Sequence, residues 1–415
     1  MVNGYFRYID YGGSLEYYIF EIANYSFLVL LLCLCYKLRF ININSLIVWT
    51  GIFFVPLVLN YFIFSPSLFP DQFQYALEVM SLKSKGISID AIASQNAQFS
   101  LNLGYLGSIS IPTNPVTFST TFLGFAPIPN FMTVTSLAFA NKFFLFVSFL
   151  GLKKFFFKDE NILLLFFLIP SLLLYTSLAL RETLIIICSV FFLLNMLKNN
   201  YIISLIFLLP LFVLKIQMFA FLALYFVGRL IFRANNSFYM LVFFLGFVLL
   251  ASIILQDEIL QTLNYYRQGF AAENMDLGDG IYGYYAFSLY GDELAKSLEL
   301  TSMLEVIWVS IIGLPKLLLM PYPNTWSNIF YPIQFFESIF LIFLYWSIAV
   351  RNNLLKNKEF IYLSVILLLS CMLYSLLVFN VGTFVRYRFS LFFPFIIAIY
   401  YVATLERGNK IKLLA

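Results

Sequence analysis

Near the end of the chain, in FNVGTFVRYRFSLFFPF (379–395), Arg386 and Arg388 stand two residues apart between apolar runs. Guanidinium pairs suit bidentate binding of phosphate oxygens and keep their charge at any relevant pH. Gly382 and Thr383 read as the end of one helix, and Ser390 with Pro394 as the start of the next. The arginines would then lie in extended chain, where alternate residues point the same way, so both could address one anion while Tyr387 faces the other side. In a helix they would diverge. The other residues with chemistry in them are scattered: Asp71 in SLFPDQFQYALEV, the adjacent Arg181 and Glu182 in LALRETLI, Lys215 in LFVLKIQMF, Arg267 in NYYRQGF, and Lys142 in FANKFFLF.

Each has a plainer reading. Arginines at span ends snorkel to headgroups, Arg181 and Glu182 could pair with each other, and Asp71 could cap a helix beginning after Pro70. Lys142 in mid-span either pairs internally or marks a site. The chain has no histidine, which excludes His-based zinc motifs and a His general base. Four cysteines, Cys33, Cys35, Cys188 and Cys371, lie in apolar runs, where they act as small hydrophobes rather than a disulfide framework. ENMDLGDG lacks EF-hand spacing. No metal or other cofactor is expected.

The elements that must hold these residues follow from composition. Of 415 residues, 62% are hydrophobic and 11% charged, far from what a soluble surface tolerates. Apolar runs long enough to cross a bilayer recur along the whole chain. The expected fold is all-α, a polytopic transmembrane bundle of about eleven spans. The net charge of +4 is spread over loops, so nucleic acid is not an expected partner. Lys37 and Arg39, Lys153 to Lys158, Arg229 and Arg233, and RNNLLKNK (351–358) mark cytoplasmic loops under the positive-inside rule. This puts the N-terminus outside and the C-terminus in the cytoplasm. The runs 161–197 and 201–232 are too long for single spans and carry charge in the middle, at Arg181–Glu182 and at Lys215, so each reads as a helical hairpin. A further span is expected near 237–255. Within one membrane domain, 1–415, two large outer segments are expected, 65–130 and 256–328, the second with a re-entrant or interfacial helix at MLEVIWVSIIGLPKLLLM. Asp71, Arg181, Glu182, Lys215, Arg267, Arg386 and Arg388 then all gather on the outer side.

Four sequence elements together carry a family resemblance. They are Pro70–Asp71 with Tyr75, the PSLLLYTSLALRETLI hairpin, PYPNTW ahead of a span with Glu337, and the terminal NVGTFVRYRF. The chain resembles O-antigen and capsular polysaccharide polymerases of the Wzy-like and EpsG-like type, integral membrane glycosyltransferases related in architecture to the GT-C class. The resemblance implies polymerisation of undecaprenyl-diphosphate-linked oligosaccharide repeats on the periplasmic face of the bacterial inner membrane. It also implies a chain-length regulator protein as a partner. In that reading Asp71, Arg181 and Glu182 are catalytic, and Arg386, Arg388, Lys215 and Arg267 bind the diphosphate. Tyr75, Tyr387 and Glu337 position the sugar. The alternatives are a GT-C lipid-phosphate-sugar transferase and a lipid-linked oligosaccharide flippase. Transporters tend to show internal repeats and mid-membrane polar residues in both halves, and no convincing repeat is present. Related O-antigen ligases use a histidine that this chain lacks.

Overall fold

The computed structural model describes residues 15–60, Tyr75, 99–102, 108–111, 114–129, 134–233, 256–276, 300–326, 330–378 and 381–414. Asp71 and the span expected near 237–255 lie outside them. The chain divides into two compact units, Met1–Phe219 and Ala220–Ala415.

In the first unit, α1 (Leu15–Lys37) packs on α2 (Ile43–Val58), and both pack on α4 (Val134–Phe155). Asn42 caps α2 by accepting from the Ser45 amide at 2.8 Å. Trp49, fully buried on α2, meets Phe53, Phe146, Phe149 and Phe167 at centroid distances of 5.1–5.7 Å. This aromatic cluster is the centre of the unit's core. A two-stranded antiparallel hairpin, β1 (Phe99–Asn102) with β2 (Ser108–Ile111), pairs Phe99 with Ile111 and precedes α3 (Pro115–Gly124). Apart from this short hairpin, the described elements are helical, as expected.

Beyond α4 come α5 (Glu160–Phe167), α6 (Pro170–Tyr175), α7 (Glu182–Leu197) and α8 (Tyr201–Leu214). The run 161–197 does break at Arg181–Glu182. Its two ends return to one place: Lys153 pairs with Glu160 at 2.6 Å, and Lys198 donates to the Phe155 carbonyl. Glu160 also accepts from the Asn42 amide at 3.0 Å and from the Ser45 hydroxyl. Lys37, Lys153, Lys154 and Lys198 therefore mark one basic end. Lys215 interrupts the next run as expected, but as a single extended residue between α8 and α9 (Ile216–Arg233). Its amide donates to Leu211 and its carbonyl accepts from Phe219, so i to i+4 bonding continues on both sides of the joint.

The second unit contains α10 (Gln256–Asp276), α11 (Met303–Leu319), α12 (Phe330–Arg351), α13 (Lys358–Leu377) and α14 (Val381–Leu414). Ser302 caps α11 by accepting from the Glu305 amide at 3.3 Å, and Glu305 accepts in turn from the Thr301 amide at 2.8 Å. A Cβ added at Gly313 would lie 2.9 Å from the Ser375 carbonyl, so only glycine lets α11 approach α13 this closely. Ser375 then donates to the Ser310 carbonyl across the crossing at 3.0 Å. This unit has a basic end too, where Arg229 pairs with Glu359 at 2.8 Å and Arg407 donates to Asn352 at 2.7 Å.

Among the described residues, five helical stretches are long and apolar enough to cross a membrane: Ile19–Lys37, Thr135–Phe155, Phe330–Arg351, Lys358–Leu377 and Thr383–Arg407. Shorter apolar helices occupy Ile43–Val58, Glu182–Leu197, Tyr201–Leu214 and Ile216–Leu230. One expectation is overturned outright. Arg386 and Arg388 are not in extended chain but inside the 34-residue α14, which starts at Val381 and continues through Pro394. At about 100° per residue their side chains leave opposite sides of the helix.

Candidate functional site

A membrane-depth site needs polar groups that the fold itself positions, and the first unit builds one at the turn Thr176–Arg181. Pro170 opens α6 at a position where its missing N–H leaves no bond unmade. Six residues later the helix ends, and the turn leaves main-chain carbonyls among apolar side chains. Each one left without a donor there would cost several kcal/mol, because no water is present to replace the lost bond. Two neighbours on α4 supply the donors. Asn141 Nδ2 donates to the Leu178 carbonyl at 2.7 Å and to the Leu180 carbonyl at 3.0 Å. Lys142 Nζ donates to the Leu173 carbonyl at 3.1 Å and to the Thr176 hydroxyl at 2.7 Å. Both side chains are fully buried. The mid-span lysine thus pairs internally, with a carbonyl and a hydroxyl.

That clamp fixes where α7 begins. Arg181 is the residue before its first turn, and Glu182, 1% exposed, lies in that turn, where the helix dipole favours a carboxylate. No ion pair joins Arg181 to Glu182, and Arg181 Nε is buried with no hydrogen-bond partner among the described residues. Asn141 lies twelve residues from Lys153 on α4, about 18 Å along the axis. Glu182 lies about 24 Å from Lys198 along α7. Against a hydrocarbon thickness of about 30 Å, the turn is well inside the apolar layer measured from the basic end.

The other expected site residues are distributed differently. Lys215 and Tyr75, 5% and 4% exposed, belong to the first unit. In the second unit Arg388 is buried, and its Nη1 donates to the carbonyls of Leu317, Leu318 and Met320 at 3.2, 3.2 and 2.7 Å. Its Nη2 reaches the Gln334 carbonyl at 3.4 Å. These contacts close the C-terminus of α11. Arg267 acts similarly, with Nη1 donating to the Leu376 carbonyl at the end of α13 at 2.7 Å. Burial pushes the Arg267 guanidinium down to about 10, with Glu305 opposing, so it stays charged at neutral pH. Tyr387 packs on Tyr374 with ring centroids 4.8 Å apart. Glu337 is buried on α12, one turn beyond Gln334.

Several buried polar side chains go beyond the sequence reading. Glu21, Asn24, Asn60, Thr135, Ser136, Asn141 and Gln334 are all at most 4% exposed. A signal existed: Glu21 and Asn24 are three apart in an otherwise apolar run, and Asn141 adjoins the mid-span lysine.

These features define an integral membrane protein built from apolar helices. No protein-family model, characterised protein or solved structure matches the chain.

Proposed function

We propose that the chain is a membrane glycosyltransferase that polymerises undecaprenyl-diphosphate-linked oligosaccharide repeats on the membrane face opposite its basic ends. One observation carries this reading: Arg181, a permanent cation at membrane depth beside a buried carboxylate, has a guanidinium Nε that the fold leaves without a hydrogen bond among the described residues. Retaining such a group in an apolar layer is costly and points to an anionic ligand. A lipid diphosphate supplies that anion from within the membrane. The positive-inside rule places the lysine-rich ends in the cytoplasm, which turns the polar end outward, to the periplasmic side of a bacterial inner membrane.

The chemistry asks little beyond charge stabilisation. The acceptor hydroxyl oxygen bonds to the anomeric carbon as the bond from that carbon to the diphosphate oxygen breaks. The lipid diphosphate departs with the electron pair, and Arg181 neutralises the charge that develops on it. Glu182 accepts the hydroxyl proton or orients the hydroxyl. Asp71 is the other carboxylate in this reading, and Lys215, in the same unit as Arg181, is a further cation for the diphosphate. Arg388 and Arg267 already serve main-chain carbonyls, so their part is to hold the helix ends.

The test is a reconstitution in lipid nanodiscs with the undecaprenyl-diphosphate-linked repeat. Expected products are multimers of the repeat and free undecaprenyl diphosphate, with Arg181→Lys slowing turnover by about 10- to 100-fold. Product from a lipid-monophosphate sugar and none from the diphosphate would favour the lipid-phosphate-sugar transferase. Leaflet exchange of intact glycolipid in vesicles, with no new linkage, would favour a flippase.

A further inference from the structure

The first unit holds a second polar group that the Arg181 turn does not use. Glu21 is 1% exposed within the membrane-length part of α1. Asn24, one turn along the same face, donates to the Ser136 hydroxyl at 3.3 Å, and Asn60, just past α2, donates to the Thr135 hydroxyl at 3.1 Å. All five side chains are at most 4% exposed. They come from the ends of α1, α2 and α4 that lie away from Lys37, Asn42 and Lys153. Thr135 and Ser136 precede Asn141 on α4 by one to two turns, about 8–9 Å. The cluster therefore stands between the Arg181–Glu182 turn and the far end of the helices.

Helix-to-helix adhesion accounts for part of this. Asn–Ser and Asn–Thr bonds join membrane helices at about 0.6–2 kcal/mol each. Adhesion does not require a carboxylate, and a buried one costs more than a neutral amide in the same place. The residue types also fit a particular ligand. A carboxylate accepts from adjacent hydroxyls, while carboxamides and hydroxyls both donate and accept. The same carboxylate repels phosphate. We propose that Glu21, Asn24, Asn60, Thr135 and Ser136 form a subsite for the neutral hydroxyls of the acceptor sugar, separate from the diphosphate subsite at Arg181. This inference rests on the polymerase reading and divides its site by charge.

The probe is the free oligosaccharide released by mild acid from the single-repeat glycolipid that a deletion strain accumulates. It carries the sugar but no diphosphate. Binding is measured by calorimetry on the full-length protein in nanodiscs, with thermal melting alongside. Glu21→Gln, which preserves shape, is expected to weaken oligosaccharide binding by at least about tenfold, the range for losing a hydrogen bond to a charged group. Arg181→Gln is expected to leave that binding within about twofold of wild type, since its ligand is the diphosphate. If Glu21→Gln does not fold, Ser136→Ala carries the same test, with binding expected to fall about threefold or more. Equal binding by wild type and the folded variant, or no binding by wild type, overturns the subsite. A deletion strain with no single-repeat glycolipid overturns the polymerase reading first, and the subsite with it.

Discussion

At the scale of single residues, what separates the basic side chains is how many main-chain carbonyls each one serves. Arg388 donates to four carbonyls from two nitrogens, a geometry that a lysine ammonium cannot reproduce. Arg388→Lys is expected to destabilise the protein by about 2–4 kcal/mol, read as a lower melting temperature in detergent. Arg181→Lys should show the opposite pattern, with melting unchanged and turnover slowed, because no described group depends on its guanidinium. The two lysine variants side by side distinguish a structural from a ligand-facing arginine. Asn141→Leu removes the donor to two buried carbonyls of the turn. It is expected to cost about 2–3 kcal/mol and to lower activity beyond what reduced protein levels explain.

At the scale of elements, charge within apolar runs is a sound guide and proline is a poor one. The breaks at Arg181–Glu182 and Lys215, and the helices Phe330–Arg351 and Lys358–Leu377, are legible because a charge or a basic loop interrupts an apolar run. The terminal arginines depart from their sequence reading because Gly382, Ser390 and Pro394 are stop and start signals in water. In this chain Pro56, Pro210, Pro315 and Pro394 all lie inside helices. Membrane helices tolerate such prolines because neighbouring groups re-satisfy the freed carbonyls. The Asn141–Lys142 clamp is illegible for another reason: its partners are groups 31–39 residues away, mostly carbonyls, which leave no trace in residue type. Two consequences of packing can be measured. Gly313→Leu must separate α11 from α13 at the Ser375 carbonyl and is expected to lower the melting temperature sharply. Burial pushes the Glu160 carboxyl up, but Lys153, the Ser45 hydroxyl and the Asn42 amide outweigh it and hold it below its ordinary value. A depressed folded-state value means that this joint stabilises the protein above the unfolded value of about 4.3. The contribution is lost as pH falls through the lower folded value. Melting followed downward in pH should decline less steeply in Glu160→Gln than in wild type.

At the scale of the whole molecule, each unit has a basic end, and the proposed chemistry sits toward the other end of the first unit. Cysteines placed at Asn199 and Asn353, in the turns at those basic ends, are expected to resist an impermeant thiol reagent in intact cells and to react once the membrane is opened. Labelling at Asn199 from outside would reverse the orientation of the first unit and move Arg181 away from an outer-leaflet substrate. The central claim, that the chain joins lipid-linked repeats into long polysaccharide, is tested most directly by gel analysis of surface glycolipid in a deletion strain complemented with wild type or with Arg181→Gln at equal expression. Single-repeat glycolipid is expected in the deletion strain, a full ladder with wild type, and single-repeat glycolipid again with Arg181→Gln. Long chains persisting in the deletion strain would contradict the claim.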